Sequence, residues 1–212
     1  MQIAGGACQD GVVIGNTFDK YGSGNPIVKR LMSGFENALT RFVENAAPKS
    51  IHEVGCGEGY WATRWTHEGY RVRGTDFSSE VISLAKSYAA TKGHSPDFLE
   101  VKSIYDVSSE KDSADLVVCC EVLEHLEEPE KALQALSRLD SKSLILSVPS
   151  EPLWRILNMT RGKYLSEFGN TPGHIQHWSK SGIVNLVSRT FDIVEVVSPL
   201  PWTMIHCKRR MF

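Results

Sequence analysis

One group of residues has the types and spacing that binding a nucleoside requires. A glycine-rich run occupies residues 55–59 and includes Gly55, Gly57 and Gly59, and Asp76 follows roughly twenty residues later. Glycines let a backbone turn sharply and approach a ligand closely, and a helix after them presents free amide groups. A carboxylate at the end of the next strand can accept both hydroxyls of a ribose. The pattern predicts a nucleoside-containing ligand.

A second group combines carboxylates with imidazoles. Glu121, Glu124 and His125 have the spacing i, i+3, i+4, so on a helical turn they share one face. Such a set can bind Mg²⁺ or Mn²⁺, with His174 or His177 from a later segment as a further ligand. Without a metal, a histidine here can accept the proton of a hydroxyl group. We therefore expect His125 and His174 to be catalytic, with a structural hydrogen-bonding turn as the alternative.

Both groups follow strands in an alternating pattern of strands and helices. Helices separate the first five predicted strands, which favours a parallel sheet with right-handed crossovers. The last two strands, 191–197 and 203–208, are joined too closely for a crossover helix and should be antiparallel. We predict an α/β, Rossmann-like, doubly wound sheet of seven strands, mostly parallel with a final antiparallel strand. The first five predicted strands cover residues 50–54, 70–75, 98–101, 115–120 and 143–148.

The remaining chain is expected to cover this sheet. Residues 1–49 comprise a glycine-rich arm, mobile or lid-like, and a helix that starts at Pro26; residues 50–212 form the α/β domain. An irregular, aromatic-rich insertion at about 150–178 should lie on the acceptor side, where aromatic residues suit a flat or apolar molecule or simply cover the sheet. Three cations would make part of its rim basic, which fits an acidic or phosphorylated acceptor: Arg155, Arg161 and Lys163.

Length and composition exclude several classes of protein. The chain has 212 residues, 42% of them hydrophobic, and a formal net charge of −2, which fits one globular domain and excludes a strongly basic nucleic-acid binder. Its mean hydropathy of −0.20 and the lack of a long apolar run exclude a membrane span. Five scattered cysteines suggest no disulfide framework, and the start does not resemble a secretory signal. We expect a reducing, cytoplasmic setting.

Three segments together resemble the class I S-adenosylmethionine (SAM)-dependent methyltransferases: residues 53–59, 74–78 and 115–126. The resemblance covers about residues 51–207. It implies an enzyme whose glycine run holds the methionine part of SAM, whose Asp76 holds the ribose, and whose Ser103 and Ile104 flank the adenine. An acid often stands where this chain has Ser103. The implied cofactor-binding residues are Glu53, Gly55, Cys56, Gly57, Gly59, Asp76, Phe77, Ser103, Ile104 and Glu121.

The segment from Glu121 to His125, with His174, is similar to two metal-dependent groups of methyltransferases. One group methylates the 3′-terminal 2′-oxygen of small RNAs, and the other methylates catechols in the ubiquinone pathway. The same segment also occurs in relatives that use no metal. The predicted metal ligands, for Mg²⁺ or Mn²⁺, are Glu121, Glu124, His125 and His174.

Methyl transfer to an oxygen of a small-molecule acceptor is the function that the sequence favours. RNA methylation is one alternative, but the near-neutral charge makes a nucleic-acid partner the weaker choice. A nicotinamide-dependent dehydrogenase is another, although its fingerprint would place a glycine where Tyr60 stands. A SAM-binding regulatory protein without turnover is the third.

Overall fold

The computed structural model describes residues 1–9 and 12–210. Two short strands, β1 (Cys8–Gln9) and β2 (Val12–Val13), pair in the N-terminal arm. A seven-stranded sheet forms the centre of the molecule. Its strands are β3 (Ser50–Val54), β4 (Arg71–Asp76), β5 (Leu99–Val101), β6 (Leu116–Cys120), β7 (Ser143–Pro149), β8 (Phe191–Val197) and β9 (Trp202–Arg209).

The large sheet has the strand order β5-β4-β3-β6-β7-β9-β8. The first five strands in this order pair in parallel, whereas β9 is antiparallel to both β7 and β8. The predicted mostly parallel, seven-stranded sheet with a final antiparallel strand is thereby confirmed. The order reverses on either side of β3, so the edge where β3 and β6 end is where such sheets bind ligands.

Helices cover both faces of the sheet. Local signals fix their starts: the Asn25 side chain accepts a hydrogen bond from the Ile27 amide (2.9 Å) before α1, and Ser78 accepts one from Val81 (3.2 Å) before α3. The helices are α1 (Pro26–Ala46), α2 (Tyr60–His67), α3 (Ser79–Thr91), α4 (Ser109–Asp112), α5 (Pro129–Ser137), α6 (Leu153–Thr160) and α7 (Lys180–Ser188).

The core lies on both sides of the sheet because its central strands are apolar at successive positions. In β6, Leu116 and Val118 pack with residues of α1 and α2, whereas Val117 and Cys119 pack with residues of α5 and α7. All four side chains are at most 1% exposed. Burial on both faces makes the central strands a rigid support for the loops that leave their carboxyl ends.

One expectation needs correction. The insertion at 150–178 is not wholly irregular, because it contains α6, which carries Trp154 towards the sheet edge. The arm is hydrogen-bonded to the glycine run through Glu58, and its role as a lid stays a prediction. Across residues 1–9 and 12–210, none of the helices combines the length and apolar character needed to cross a membrane.

Candidate functional site

The glycine run turns sharply between β3 and α2. Gly55 and Gly59 have φ angles of +76° and +78°, a region that favours glycine. Space is equally limiting, because a β-carbon on Gly55 would lie 2.3 Å from the Val122 side chain and one on Gly59 would lie 3.0 Å from the Ala85 β-carbon. The run is therefore built to bring backbone close to a ligand.

Asp76, at the end of β4, closes this turn from the side. Its carboxylate accepts hydrogen bonds from the amides of Gly57 (3.1 Å) and Ser78 (3.0 Å). Burial raises the pKa of Asp76, while the Ser78 and Gly57 amides oppose the rise. The carboxylate keeps lone pairs towards the cavity, and it lies beside the glycine run as the sequence predicts for a ribose-binding acid.

Glu53 has no partner for one of its carboxylate oxygens. The side chain is 5% exposed, and its Oε2 accepts no hydrogen bond from the described residues. Burial raises the pKa of Glu53 to about 8, and the neighbouring Asp76 adds to the rise. A buried acceptor without a donor is costly, so a cationic ligand group with N–H donors would suit this position.

The predicted adenine side lies at the ends of β4 and β5. Phe77, Ser103 and Ile104 all line the same cavity as the glycine run, and Ile104 is buried while Phe77 is 39% exposed. The Ser103 hydroxyl accepts a hydrogen bond from the Tyr105 amide (3.3 Å), which leaves its proton free for an acceptor. The half-exposed aromatic ring and the apolar Ile104 form a slot suited to a flat base.

Glu121 is held apart from the other predicted metal ligands. It adopts a φ of +58°, and its carboxylate accepts hydrogen bonds from the Ser147 hydroxyl (2.9 Å) and the Trp202 indole N–H (2.7 Å). Burial raises the pKa of Glu121 to about 7. The expected common helical face of Glu121, Glu124 and His125 is wrong, because only residues 123–125 form a short 3₁₀ turn.

Three of the four predicted ligands do converge. One potential ligand atom from each of Glu124, His125 and His174 lies within 4.8 Å of the others. Glu124 is 1% exposed, and neither of its carboxylate oxygens accepts a hydrogen bond from the described residues. Burial raises the pKa of Glu124 well above its usual range, and the nearby Glu121 carboxylate raises it further. This orphaned carboxyl between two imidazoles has the donor set of a divalent-cation site.

The two imidazoles are oriented by their surroundings. His125 Nδ1 lies 2.9 Å from the Gly173 carbonyl oxygen, which can only accept, so Nδ1 carries the proton and Nε2 keeps a lone pair. The ring of His174 is perpendicular to that of His125, at 4.9 Å, and stacks on Trp154 at 5.9 Å. Burial lowers the pKa of His125, and it lowers that of His174 to about 3. Both rings are therefore neutral near pH 7.

The N-terminal arm contributes residues that the sequence did not reveal. Glu58, 1% exposed, accepts hydrogen bonds from the amides of Ala4 (3.1 Å) and Asn16 (2.8 Å) and from the Asn16 side chain. Farther along, Tyr21 stacks on Tyr60 at 3.7 Å. The arm is thus tied to the glycine run and to α2. The only signal in the sequence was an acid inside the glycine run.

The same arm also reaches the histidine cluster. A β-carbon on Gly173 would lie 3.0 Å from the β-carbon of Val13 and 3.4 Å from His125 Nδ1, so arm and cluster are in close contact. Lys20 of the arm lines the cavity, where its charge opposes the burial-driven rise in the pKa of Glu53 and Glu121. The arm therefore connects the predicted cofactor side with the predicted acceptor side.

One cavity of about 1330 Å³ contains all of these groups. It runs from Asp76 past Glu53 to His125 and His174, and then between α1 and α6. Its volume exceeds the roughly 300–1,000 Å³ typical of a pocket for one small ligand, so it has room for two.

Comparison with known proteins identifies a methyltransferase domain within the chain. Residues 52–142, which hold the glycine run, Asp76 and the Glu121–His125 segment, match a family described as a methyltransferase domain. Residues 52–142 therefore form a methyltransferase domain, which supports the predicted class I SAM-dependent methyltransferase. The predicted recognition is confirmed, and the match is centred on the half of the sheet that carries the predicted cofactor residues.

Curated relatives of this methyltransferase match the same region. The chain is 32% identical over 91 residues to the ubiquinone biosynthesis O-methyltransferase of Klebsiella pneumoniae (strain 342), covering 43% of this chain and 38% of the relative. It is 32% identical over 104 residues to the Vibrio atlanticus (strain LGP32) protein of the same name, covering 49% and 44%. The matches thus span less than half of each relative's length.

Solved structures share the whole fold. The magnesium protoporphyrin IX methyltransferase from Synechocystis PCC 6803, with bound S-adenosylhomocysteine (SAH), superposes with a TM-score of 0.67 at 18% identity, covering 90% of this chain and 91% of that chain. The methyltransferase domain of bacterial CtHen1 gives a TM-score of 0.61 at 18% identity, covering 84% and 99%. At these identities the likeness extends to the fold alone.

Proposed function

We propose that this methyltransferase transfers the methyl group of SAM to an oxygen of a small-molecule acceptor, most suitably a phenolic or catecholic hydroxyl. The observation that carries the proposal is the single cavity in which the glycine run and Asp76 at one end meet Glu124, His125 and His174 at the other. The curated relatives named for ubiquinone biosynthesis O-methylation support oxygen as the target atom.

The donor end is proposed to bind through complementary charge and hydrogen bonding. The unpartnered Oε2 of Glu53 would accept from the ammonium of the methionine part, and Asp76 would accept from the ribose hydroxyls. Ser103 and Ile104 would border the adenine. Holding the donor at these three points fixes the direction of its methyl–sulfur bond, and alignment of that bond is what the reaction requires of the protein.

The acceptor end is proposed to accept the one proton that the hydroxyl loses on methylation. An oxygen lone pair forms the new bond to the methyl carbon while the carbon–sulfur bond breaks, and its electron pair stays on sulfur, so that SAM becomes SAH. Without a bound cation, the hydroxyl proton would pass to His125 Nε2, whose lone pair is free because Nδ1–H donates to the Gly173 carbonyl. With a cation on that nitrogen, the proton would pass to water instead. The lowered pKa of His125 keeps this nitrogen unprotonated near neutral pH.

The residues present fit a divalent cation at the acceptor end. Glu124, His125 and His174 would hold Mg²⁺ or Mn²⁺, because they supply an otherwise orphaned carboxylate and two neutral imidazoles. When bound, such an ion lowers the pKa of a coordinated hydroxyl group. Glu121 would remain outside the first set of ligands, since Ser147 and Trp202 already occupy its oxygens.

Methyl transfer from radiolabelled SAM to 3,4-dihydroxybenzoate tests the proposal. Labelled product should form with the wild type, should be abolished by EDTA and should return with Mn²⁺ or Mg²⁺. A His125→Ala variant should lose turnover while its affinity for SAH stays within about threefold of the wild type, because His125 lies at the acceptor end. Turnover that persists in EDTA would show that the reaction requires no metal. Absence of product with any catechol would refute the proposed acceptor class.

A further inference from the structure

One face of α6 runs from the histidine cluster towards the rim of the cavity. Trp154 and Leu157 of α6 and Arg161, which directly follows the helix, lie three and four residues apart and line the cavity. Asn158 and Thr160 line it as well, whereas Ile156 and Met159 do not. Trp154 marks the inner end, because its ring stacks on His174. A helix rises 1.5 Å per residue, so Arg161 lies about 10 Å farther along the axis than Trp154.

The outer end of this face is cationic. Arg161 and Lys163 are exposed and line the cavity, and no carboxylate of the described residues lies within 4 Å of either. Arg155, also predicted for the basic rim, is placed differently: its Nε donates to the Phe168 carbonyl oxygen (3.0 Å), and it does not line the cavity. Two cations, rather than three, face the space beyond the histidines.

The space between the two ends is apolar. Leu157 on α6 and Ile27 and Leu31 on α1 line it, and Ile27 is 68% exposed although it belongs to a cavity wall. A wall of this kind stabilises an apolar ligand by removing both surfaces from water. The acceptor region thus has a histidine end, an apolar middle and a cationic end.

We propose that the acceptor of this methyltransferase is a flat, largely apolar molecule that carries an anionic group about 10 Å from the methylated oxygen, and that Arg161 and Lys163 bind this group. The inference rests on the proposed function for the position of the oxygen. It adds a charge requirement that the fold and the family do not supply. Arginine and lysine together provide forked and single N–H donors, which suits a carboxylate or a phosphate.

A pair of probes that differ only in charge tests the inference: 3,4-dihydroxycinnamate and its uncharged amide. Their affinities are measured by fluorescence titration of protein saturated with SAH, so that no turnover is needed. The wild type should bind the carboxylate about two- to fivefold more tightly than the amide, the size expected for exposed charge pairs. The Arg161→Gln/Lys163→Gln variant should bind both probes equally.

The matched control is Lys86→Gln/Lys111→Gln, which removes two exposed lysines that do not line the cavity. It should keep the wild-type preference, and all three proteins should bind SAH with the same affinity. Three results would overturn the inference: equal affinity of the wild type for both probes, a preference that survives in Arg161→Gln/Lys163→Gln (the rim variant), or no binding of either probe. Salt-sensitive binding of a short single-stranded RNA, lost in the rim variant, would overturn it too.

The outcomes also separate this inference from the proposed function. A charge preference in SAH-saturated protein that never methylates a catechol would leave the inference standing and refute the acceptor chemistry. Methylation of both probes at equal kcat/KM would support the acceptor chemistry and refute the charge requirement.

Discussion

Replacing Glu124 with glutamine should make the protein more stable while removing its response to divalent cations. Both carboxylate oxygens of Glu124 are buried without hydrogen-bond donors from the described residues, and Glu121 is close enough to raise its pKa further. Glutamine has nearly the same shape and no charge. The substitution therefore relieves a cost in the folded protein without opening a cavity.

The size of the effect depends on pH. Because the pKa of Glu124 is raised above its value in the unfolded chain, the folded protein holds a proton that the unfolded chain releases. The folded state is then favoured at low pH, and stability falls as pH rises, by up to about 1.4 kcal/mol per pH unit. Between pH 5.5 and 7.5, the stability of Glu124→Gln relative to the wild type should therefore rise with pH.

Urea denaturation in EDTA at several pH values measures this difference, and Glu121→Gln is the matched control. Glu121 accepts from the Ser147 hydroxyl and the Trp202 N–H, and an amide can accept from the indole and donate to the hydroxyl. The control should thus change stability little at pH 5.5 and should keep the stabilisation by Mn²⁺, because Glu121 is not one of the proposed ligands. Mn²⁺ at a hundredfold excess over its dissociation constant should stabilise the wild type by about 2.7 kcal/mol and Glu124→Gln not at all. A pH-independent difference, or equal stabilisation of Glu124→Gln by Mn²⁺, would refute the reasoning.

Three further predictions concern the cofactor end and the core. Asp76→Asn should weaken SAH binding by about a hundredfold, since charge-assisted hydrogen bonds to the ribose are lost; a loss under threefold in calorimetry would contradict this. Glu58→Ala should speed SAH dissociation in stopped flow, because the amides of Ala4 and Asn16 lose their acceptor; an unchanged rate would mean that the arm is no lid. Burial lowers the pKa of His52 to about 4, so the stability of the wild type relative to His52→Asn should fall by up to about 3 kcal/mol as pH drops from 6.5 to 4, and parallel curves for the two proteins would contradict this.

Features that depend on neighbouring residues in the chain were predictable. The strands of the parallel sheet follow from short apolar runs, and β6 shows why: a strand buried on both faces needs no alternation. Asp76 and Gly57 meet because parallel strands end at the same edge, which their hydrogen bond of 3.1 Å bears out. The spacing of the glycines distinguished this turn from a dinucleotide fingerprint.

Features that depend on packing between residues far apart in the chain could not be predicted from the sequence. Glu121 does not join the group formed by Glu124, His125 and His174, and its carboxylate instead accepts from Trp202, 81 residues later in the chain. The left-handed backbone at Glu121 breaks the helical spacing on which the expected common face depended. The contact between Glu58 and Asn16 joins an arm of low apolar content to a loop 42 residues later, and neither partner has a local pattern that predicts the other.

Calorimetric titration of the purified chain with SAH, alone and in the presence of NAD, tests the central claim most directly. The claim is that the glycine run and Asp76 form a SAM site at one end of the shared cavity. The expected result is one SAH bound per chain, with an affinity that millimolar NAD does not change. No heat of binding with SAH, or displacement of SAH by NAD, would contradict it.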